Sequence, residues 1–328
     1  MISSYSEALQ QWHGKPYFSL NQYLQEKFGE KIYKIALDGG FTCPNRDGSL
    51  GNRGCIFCSA GGSGDFSGAS IFQNGPPARN SLPDIRLQLE AGKQLLSKKY
   101  AGQRFIAYFQ AFTNTYGPIE YLEKLYMSAI CHPETAVLSI ATRPDCLSQD
   151  VIELLKRISK IKPVWVELGL QTIHEDTARF IRRSYSLDVF TDALDRLREA
   201  GIETIVHTIL GLPGESEDDI LETHHFLAQQ PIQGIKLQLL HVLRGTDLDT
   251  IYRMRPFHIL TLEEYTDLVI RCIEILPPEI VIHRITGDGP KNLLTAPLWS
   301  VHKKQVLNTI HHTFKTQATW QGRLYSPL

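Results

Sequence analysis

Lys34-Ile-Ala-Leu-Asp-Gly-Gly-Phe-Thr-Cys43-Pro-Asn-Arg-Asp-Gly-Ser-Leu-Gly-Asn-Arg-Gly-Cys55-Ile-Phe-Cys58 sets three cysteines directly after a strand-like run. Soft thiolates suit iron–sulfur clusters and zinc. A closed zinc site takes a fourth ligand. No histidine lies between Cys43 and Cys58, and the next cysteines, Cys131 and Cys146, are more than 70 residues downstream. Three thiolates hold a four-iron, four-sulfur cluster with one iron open, so the count points to chemistry at that position. Zinc and plain structural thiols are the alternative readings.

The strand before the loop, Lys34–Asp38, begins a repeating pattern. Runs rich in β-branched or aromatic residues follow at Arg104–Gln110, Ala136–Ala141, Val164–Gln171, Glu203–Leu210 and Gly234–His241. Between them, Ile85–Lys99, Ile119–Ala129, Gln149–Ser159, Val189–Ala200 and Glu217–Gln229 carry apolar residues at helical spacing, with Gly201 as a stop after the fourth. Repeated β-α units with right-handed crossovers make a parallel sheet. Six strands are too few for a closed eight-stranded barrel. The expected fold is therefore α/β, a partial (β/α)6 TIM-like barrel with N-terminal and C-terminal extensions; a flat doubly wound sheet is the competitor. In the barrel, functional residues gather at the C-terminal ends of the strands, which is where the cysteine loop begins.

Residues 1–33 read as an N-terminal extension with a short helix at Tyr23–Phe28, and 34–246 as the core. From 247 to 328 the pattern changes to a helix at Leu262–Leu276, a strand at Glu279–Ile285 and a last helix at Val301–Phe314, an extension packed on the core. Ala60-Gly-Gly-Ser-Gly-Asp65 is a local glycine-rich loop.

Of 328 residues, 42% are hydrophobic and 21% charged, which argues against disorder. The 34 basic and 35 acidic side chains give a formal charge of −1, which excludes nucleic-acid binding by bulk charge and leaves room for a local basic face. The first residues lack a charged-then-apolar leader pattern and no apolar run approaches a membrane span. Six cysteines, three of them clustered, do not form a secreted disulfide framework. These features place the chain in a reducing cytoplasm, away from membranes.

With the strand, the three cysteines and Phe57 before the last of them, the chain resembles the radical S-adenosylmethionine superfamily. Its commonest spacing has three residues between the first two cysteines; here there are eleven, as in the elongator catalytic-subunit branch. Leu37–Gly48 is closer still to a bacterial family implicated in modifying the wobble uridine of tRNA. The likeness covers roughly residues 34–246. Val166-Glu-Leu-Gly-Leu-Gln171 is similar to a fourth-strand motif of the elongator and coproporphyrinogen branches, in which a glutamine and an arginine twelve positions later contact the methionine moiety; here these are Gln171 and Arg183. Ile209-Leu-Gly211-Leu212-Pro-Gly-Glu215 is similar to the fifth-strand loop beside the adenine. Tyr108–Tyr116 stands in place of the usual glycine-rich second-strand motif, as in the bacterial family.

The resemblance implies a [4Fe-4S] cluster on Cys43, Cys55 and Cys58, and S-adenosyl-L-methionine cleaved to a 5′-deoxyadenosyl radical. It implies that Phe57, Gln110, Glu167, Gln171, Arg183, Gly211 and Leu212 surround the cofactor. A guanidinium such as Arg183 suits a carboxylate, and Gln110, Glu167 and Gln171, taken as strand-end residues, suit an amino group and ribose. It implies a substrate too: 5-carboxymethylaminomethyluridine in tRNA, converted to 5-aminomethyluridine, with flavodoxin or ferredoxin as electron donor. The chain after Thr246 has no room for a full acetyl-coenzyme A domain, so the elongator reaction itself is not expected. Rival readings are a radical enzyme acting on a small metabolite or tetrapyrrole, and a non-catalytic iron–sulfur or zinc protein.

Other residues stand outside this set, some with two readings. Cys131, Cys146 and Cys272 read as ordinary buried thiols. Glu167 in an apolar strand needs a partner, a cofactor or a core arginine. Arg182 and Arg183 read as helical neighbours, only one of them inward. Arg143 and Asp145 end the third strand, at the mouth or merely ordering a turn. His207, His241, Arg244, Arg284 and Asp288 are substrate-side candidates, and His311-His312 reads as surface. Lys98, Lys99, Arg104, Arg253, Arg255, Lys291, Lys303 and Lys304, with Tyr252 and Trp299, could meet RNA or form a solvated surface.

Overall fold

Every residue of Phe105–Phe109 is buried, as a strand covered on both faces requires, and it anchors the sheet. The computed structural model describes residues 2–62, 64, 82–96 and 102–327. In chain order, the elements are helices α1 (Tyr5–Gln11) and α2 (Leu20–Phe28), strand β1 (Tyr33–Leu37), α3 (Ile85–Leu96), β2 (Phe105–Phe109), α4 (Ile119–Ile130), β3 (Thr135–Thr142), α5 (Gln149–Ile158) and β4 (Val164–Gln171). Then come α6 (Glu175–Phe180), α7 (Leu187–Glu199), β5 (Glu203–Leu210), α8 (Glu217–Ala228), β6 (Gly234–Leu239), β7 (Val242–Leu243), α9 (Asp247–Met254), α10 (Leu262–Ile275), β8 (Val281–Arg284), β9 (Leu294–Ala296) and α11 (Lys303–Gln317). The fold class is α/β, that of a partial TIM barrel. Its parallel sheet has seven strands in the order β1-β2-β3-β4-β5-β6-β8. The six expected strands are all present; the seventh, β8, comes from the C-terminal segment and pairs parallel to β6.

The chain divides into two compact units. The first comprises Phe28–Gly169 and Ser184–Ile205. In it β1, β2, β3 and β4 pair in parallel, each with its neighbour. Strands β1 and β4 are three places apart, ~14 Å in a flat sheet. Lys34 of β1 nevertheless reaches Glu167 of β4 at 2.5 Å, so this part of the sheet is curled with both side chains on its concave face. Ser148 caps α5 by accepting from Val151 N–H, and the helix buries Val151, Ile152, Leu154, Leu155 and Ile158.

The second unit comprises Met1–Lys27, Leu170–Arg183 and Val206–Leu328. Capping boxes start α8 (Ser216 with Asp219) and α10 (Thr261 with Glu264). The fully buried Gln321 amide donates to Pro277 and Ile280 carbonyls at 2.6 and 2.8 Å and accepts from Phe18 N–H at 2.9 Å, tying both chain ends to the β8 approach. His311 is half-buried, stacked on Tyr17 and bonded to its hydroxyl at 3.0 Å, which corrects the surface reading of that residue.

Candidate functional site

The cysteine loop lies in the first unit and is held by its own backbone. Arg46 N–H and Asp47 N–H donate to Cys43 O at 2.7 and 3.2 Å, Leu50 N–H to Pro44 O at 2.8 Å, and Gly54 N–H to Asn45 O at 2.7 Å. The Arg46 guanidinium then crosses the loop and donates to the carbonyls of Cys58 and Ser59 at 3.1 and 2.6 Å, above the Phe112 ring. Gly54 makes room for it: a Cβ there would stand 2.7 Å from Arg46 Nε, and its φ of +72° is left-handed. Asn45 Nδ2 donates to Cys55 Sγ at 3.6 Å. All three cysteines are free thiols. A hydrogen bond with Cys58, then burial, pushes the Cys55 thiol well up; the Arg143 charge opposes the shift.

Arg143 follows β3 and grips Asp145 with two hydrogen bonds, 2.9 and 2.7 Å, while its guanidinium lies 5.0 Å from the centre of the Tyr185 ring. Burial works against its charge, but the Asp145 bonds outweigh it and raise its pKa. Cys146 belongs to the same group: burial, then Asp145, pushes its thiol up to about 12, and Cys43 contributes to the shift. Its carbonyl accepts from Thr115 Oγ1 at 2.6 Å. Of the three outlying cysteines read as buried, only Cys272 is so; Cys131 is exposed and Cys146 half-buried. Tyr108–Tyr116 wraps back on β3, where Asn114 N–H and Nδ2 both donate to Ala141 O. Phe57 and Gln110 are half-buried, Gln110 directly after β2 with its N–H on Leu37 O at 3.3 Å.

Glu167 corrects an expectation. It lies in mid-strand rather than at the strand end, fully buried, and its partner is a lysine: Lys34 at 2.5 Å, with Ser139 Oγ donating at 2.7 Å. The expected core arginine or cofactor is not needed to satisfy it.

The second unit holds Gln171, Arg183, Gly211 and Leu212. Gln171 ends β4 in the left-handed region, φ +71°, and its Oε1 is buried with no hydrogen-bond partner among the described residues. Arg183 is not helical: α6 ends at Phe180, and Arg182 and Ser184 both have positive φ, so a turn carries the arginine pair. This turn sends Arg183 inward, 2% exposed, to donate to the carbonyls of Leu170 and Thr172 at 3.2 and 2.5 Å and to Glu175 at 3.1 Å. Arg182 points elsewhere and pairs with Asp247. Arg183 thus brackets Gln171 by the carbonyls on either side of it. Gly211 and Gly214 take left-handed φ values in the fifth-strand loop, Leu212 is buried, and Glu215 Oε1 is buried with no hydrogen-bond partner among the described residues; burial raises the Glu215 pKa.

Among the substrate-side candidates, His207 Nδ1 faces Gln238 at 3.3 Å, while His241, Arg284 and Asp288 come together. Of the cationic candidates, Arg104 is paired with Glu30, Arg253 with Asp249 and Lys303 with Asp288. Arg255, Lys291 and Lys304 are exposed. Tyr252 packs edge-on against Phe257, and Trp299 is half-buried with its N–H on Leu260 O. Lys98, Lys99, Ser63 and Asp65 lie outside the described residues.

Sequence reasoning missed Asn45 and Arg46. The only signal was their place between two ligands in a loop too long to hold itself without an internal donor.

Residues 49–227 match the Radical SAM superfamily and residues 232–316 the Radical_SAM C-terminal domain. The protein YtqA of Bacillus subtilis is 42% identical over 96% of this chain and 94% of its own, and the protein YhcC of Escherichia coli 33% over 84% and 85%. Elongator complex protein 3 of Schizosaccharomyces pombe is 28% identical over 48% of this chain and 29% of its own. Among solved structures, the archaeal Elp3 of Methanocaldococcus infernus superposes with a TM-score of 0.65 at 17% identity, over 88% of this chain and 64% of that one, a likeness of fold.

The superfamily uses a [4Fe-4S] cluster and S-adenosylmethionine, and the residues present fit both. Three free thiols in one ordered loop are the soft donor set a cluster takes. The orphaned Gln171 oxygen is an acceptor awaiting a donor such as the methionine ammonium.

Proposed function

The chain belongs to the radical SAM superfamily and is a radical S-adenosylmethionine enzyme, and from that membership we propose that it acts on the wobble uridine of tRNA. The reaction is conversion of 5-carboxymethylaminomethyluridine to 5-aminomethyluridine: the carboxymethyl CH2 is oxidised with S-adenosylmethionine as the two-electron oxidant, water hydrolyses the resulting imine, the C–N bond breaks and the carbon unit leaves as glyoxylate. The observation that carries the reading is Leu37–Gly48 with its eleven-residue gap between Cys43 and Cys55, whose likeness is to the wobble-uridine family. The sequence relationship to Elongator complex protein 3 supports it from a second direction.

When bound, the cluster and S-adenosylmethionine supply one-electron hydrogen-abstraction chemistry. The chain's residues hold and orient. Cys43, Cys55 and Cys58 would hold the cluster, and Arg46 fixes the loop that presents them. Gln171 Oε1 would accept from the methionine ammonium, with Arg183 holding the carbonyls of Leu170 and Thr172 on either side of it. On the family resemblance, Phe57, Gln110, Gly211 and Leu212 would be further cofactor-contacting residues, and Glu167, already paired with Lys34, would act through its strand. Arg255, Lys291 and Lys304 are available to phosphates. A flavodoxin or ferredoxin supplies the electron, and the reaction runs in the cytoplasm.

Mass analysis of wobble nucleosides from cells lacking the protein tests the reading. Accumulated 5-carboxymethylaminomethyluridine with loss of 5-aminomethyluridine is expected. Unchanged nucleosides, together with no conversion by the reconstituted enzyme, overturn it.

A further inference from the structure

Strands β6 and β8 run parallel, so their ends at Leu239 and Arg284 leave the sheet on the same side, the side where parallel β/α folds place ligands. His241 follows β6, and the segment after β8 folds against its ring. Gly287 and Gly289 permit that approach: a Cβ on the first would stand 2.7 Å from His241 Cε1, and on the second 3.3 Å from Cγ. The ring is fixed from its other edge. Ser300 Oγ spends its proton on Pro297 O at 2.8 Å, so it accepts from His241 Nε2 at 3.2 Å. This tautomer leaves Nδ1 as a bare acceptor beside the loop, and burial keeps the imidazole neutral, with its pKa pushed down to about 4.

Asp288 stands between the two glycines and is fixed by Lys303 Nζ, which reaches both carboxylate oxygens at 2.8 and 2.7 Å. Arg284 Nη2 lies 3.9 Å from Asp288 Oδ2, beyond hydrogen-bond reach, and the Arg284 guanidinium makes no hydrogen bond among the described residues. Both side chains are about one-third exposed. One charge is therefore held by two hydrogen bonds and the other keeps its donors unused, side by side at a strand end. A guanidinium with its donors unused matches a carboxylate's two oxygens. The Asp288 oxygens keep lone pairs for a further N–H donor. A ligand carrying an ammonium and a carboxylate on one carbon satisfies both, with its amine on Asp288 and its carboxylate on Arg284.

We propose that Arg284 and Asp288 form a subsite for an N-substituted glycine, a secondary amine bearing a carboxymethyl group. In the substrate proposed above, this is the carboxymethylamino arm; the identity of the substrate rests on that reading, whereas the ligand chemistry rests on the charge pair. The subsite would hold the arm by its two charged ends.

The full chain titrated with N-benzylglycine tests the subsite without RNA. Binding by the unaltered protein is expected to weaken at least tenfold in Arg284→Met and in Asp288→Asn, with benzylamine and phenylacetate each bound more weakly than N-benzylglycine. Equal binding by parent and variants, or no binding by the parent, overturns the proposal. S-adenosylmethionine is itself an α-amino carboxylate, so its affinity for the reconstituted protein is measured in the same variants. Unchanged affinity supports the subsite as a substrate site, and its loss in Arg284→Met overturns that assignment. Anticodon stem-loops with and without the carboxymethylaminomethyl group separate the two readings. If they bind alike while N-benzylglycine still depends on Arg284 and Asp288, the subsite stands and the wobble-uridine assignment falls.

Discussion

Lys34 Nζ and Glu167 Oε1 meet at 2.5 Å across two intervening strands, although they are 133 residues apart in sequence. The lysine also lies 4.7 Å from the centre of the Tyr108 ring on β2, so a contact of β1, β2, β3 and β4 is centred on one carboxylate. Removing one partner strands the other. Lys34→Met alone is expected to cost about 3 kcal/mol of unfolding free energy, and the double variant Lys34→Met with Glu167→Leu to recover much of it. Urea unfolding of the two single variants and the double variant measures the coupling; additive losses would show that the pair does not act as a unit.

The cysteine loop predicts a sharp contrast between ligands and bystanders. Serine at Cys43, Cys55 or Cys58 is expected to abolish stoichiometric iron and sulfide after anaerobic reconstitution. Serine at the exposed Cys131 is expected to leave both unchanged. Arg46→Ala, which removes the donors to Cys58 and Ser59 carbonyls, is expected to lower the iron retained through desalting while the far-ultraviolet circular dichroism stays that of the parent.

Gln171 and Arg183 are expected to fail in different ways. Gln171→Ala removes one acceptor and is expected to weaken S-adenosylmethionine binding by about fivefold, the worth of ~1 kcal/mol, with little loss of stability. Arg183→Ala leaves the buried Leu170 and Thr172 carbonyls short of donors and is expected to cost about 3 kcal/mol of stability as well. Equilibrium dialysis and urea unfolding of both variants separate binding from folding.

Acid should weaken the fold through His224. The ring is 1% exposed and bonded to Ile220 O at 2.7 Å; burial lowers its pKa from the ordinary 6.5 to about 4. Between these values the unfolded chain binds the extra proton and the folded one does not. The contribution is therefore complete above pH 6.5 and is lost as pH falls towards 4, by about 3 kcal/mol. His224→Gln is expected to flatten that slope of stability against pH in urea titrations; an unaltered slope would assign the acid sensitivity to other groups.

The sequence made the strand rhythm plain because buried parallel strands are short, continuous apolar runs: Val164–Gln171 and Glu203–Leu210 are found with the boundaries expected. It hid what depends on distant partners. Nothing near Glu167 announces Lys34. The six-residue α6 between Gln171 and Arg183 is too short to show a period, so the arginine pair looked helical when a left-handed turn separates the two side chains. The seventh strand, β8, was visible as a strand, but its pairing with β6 is a matter of topology, not of local pattern. The Arg284–Asp288 pair follows from that topology, since it depends on where β8 ends.

The eleven residues between Cys43 and Cys55 would, as a free loop, lose backbone entropy worth about 1–2 kcal/mol each on closing around a ligand. Arg46, with the Cys43–Asp47 and Asn45–Gly54 backbone bonds, meets that cost through the protein's own hydrogen bonds. The fold is thereby expected to depend little on metal loading, unlike small metal-dependent domains that unfold when stripped. A protein stripped of its cluster is therefore expected to keep this loop's shape and to take iron and sulfide again without passing through an unfolded state.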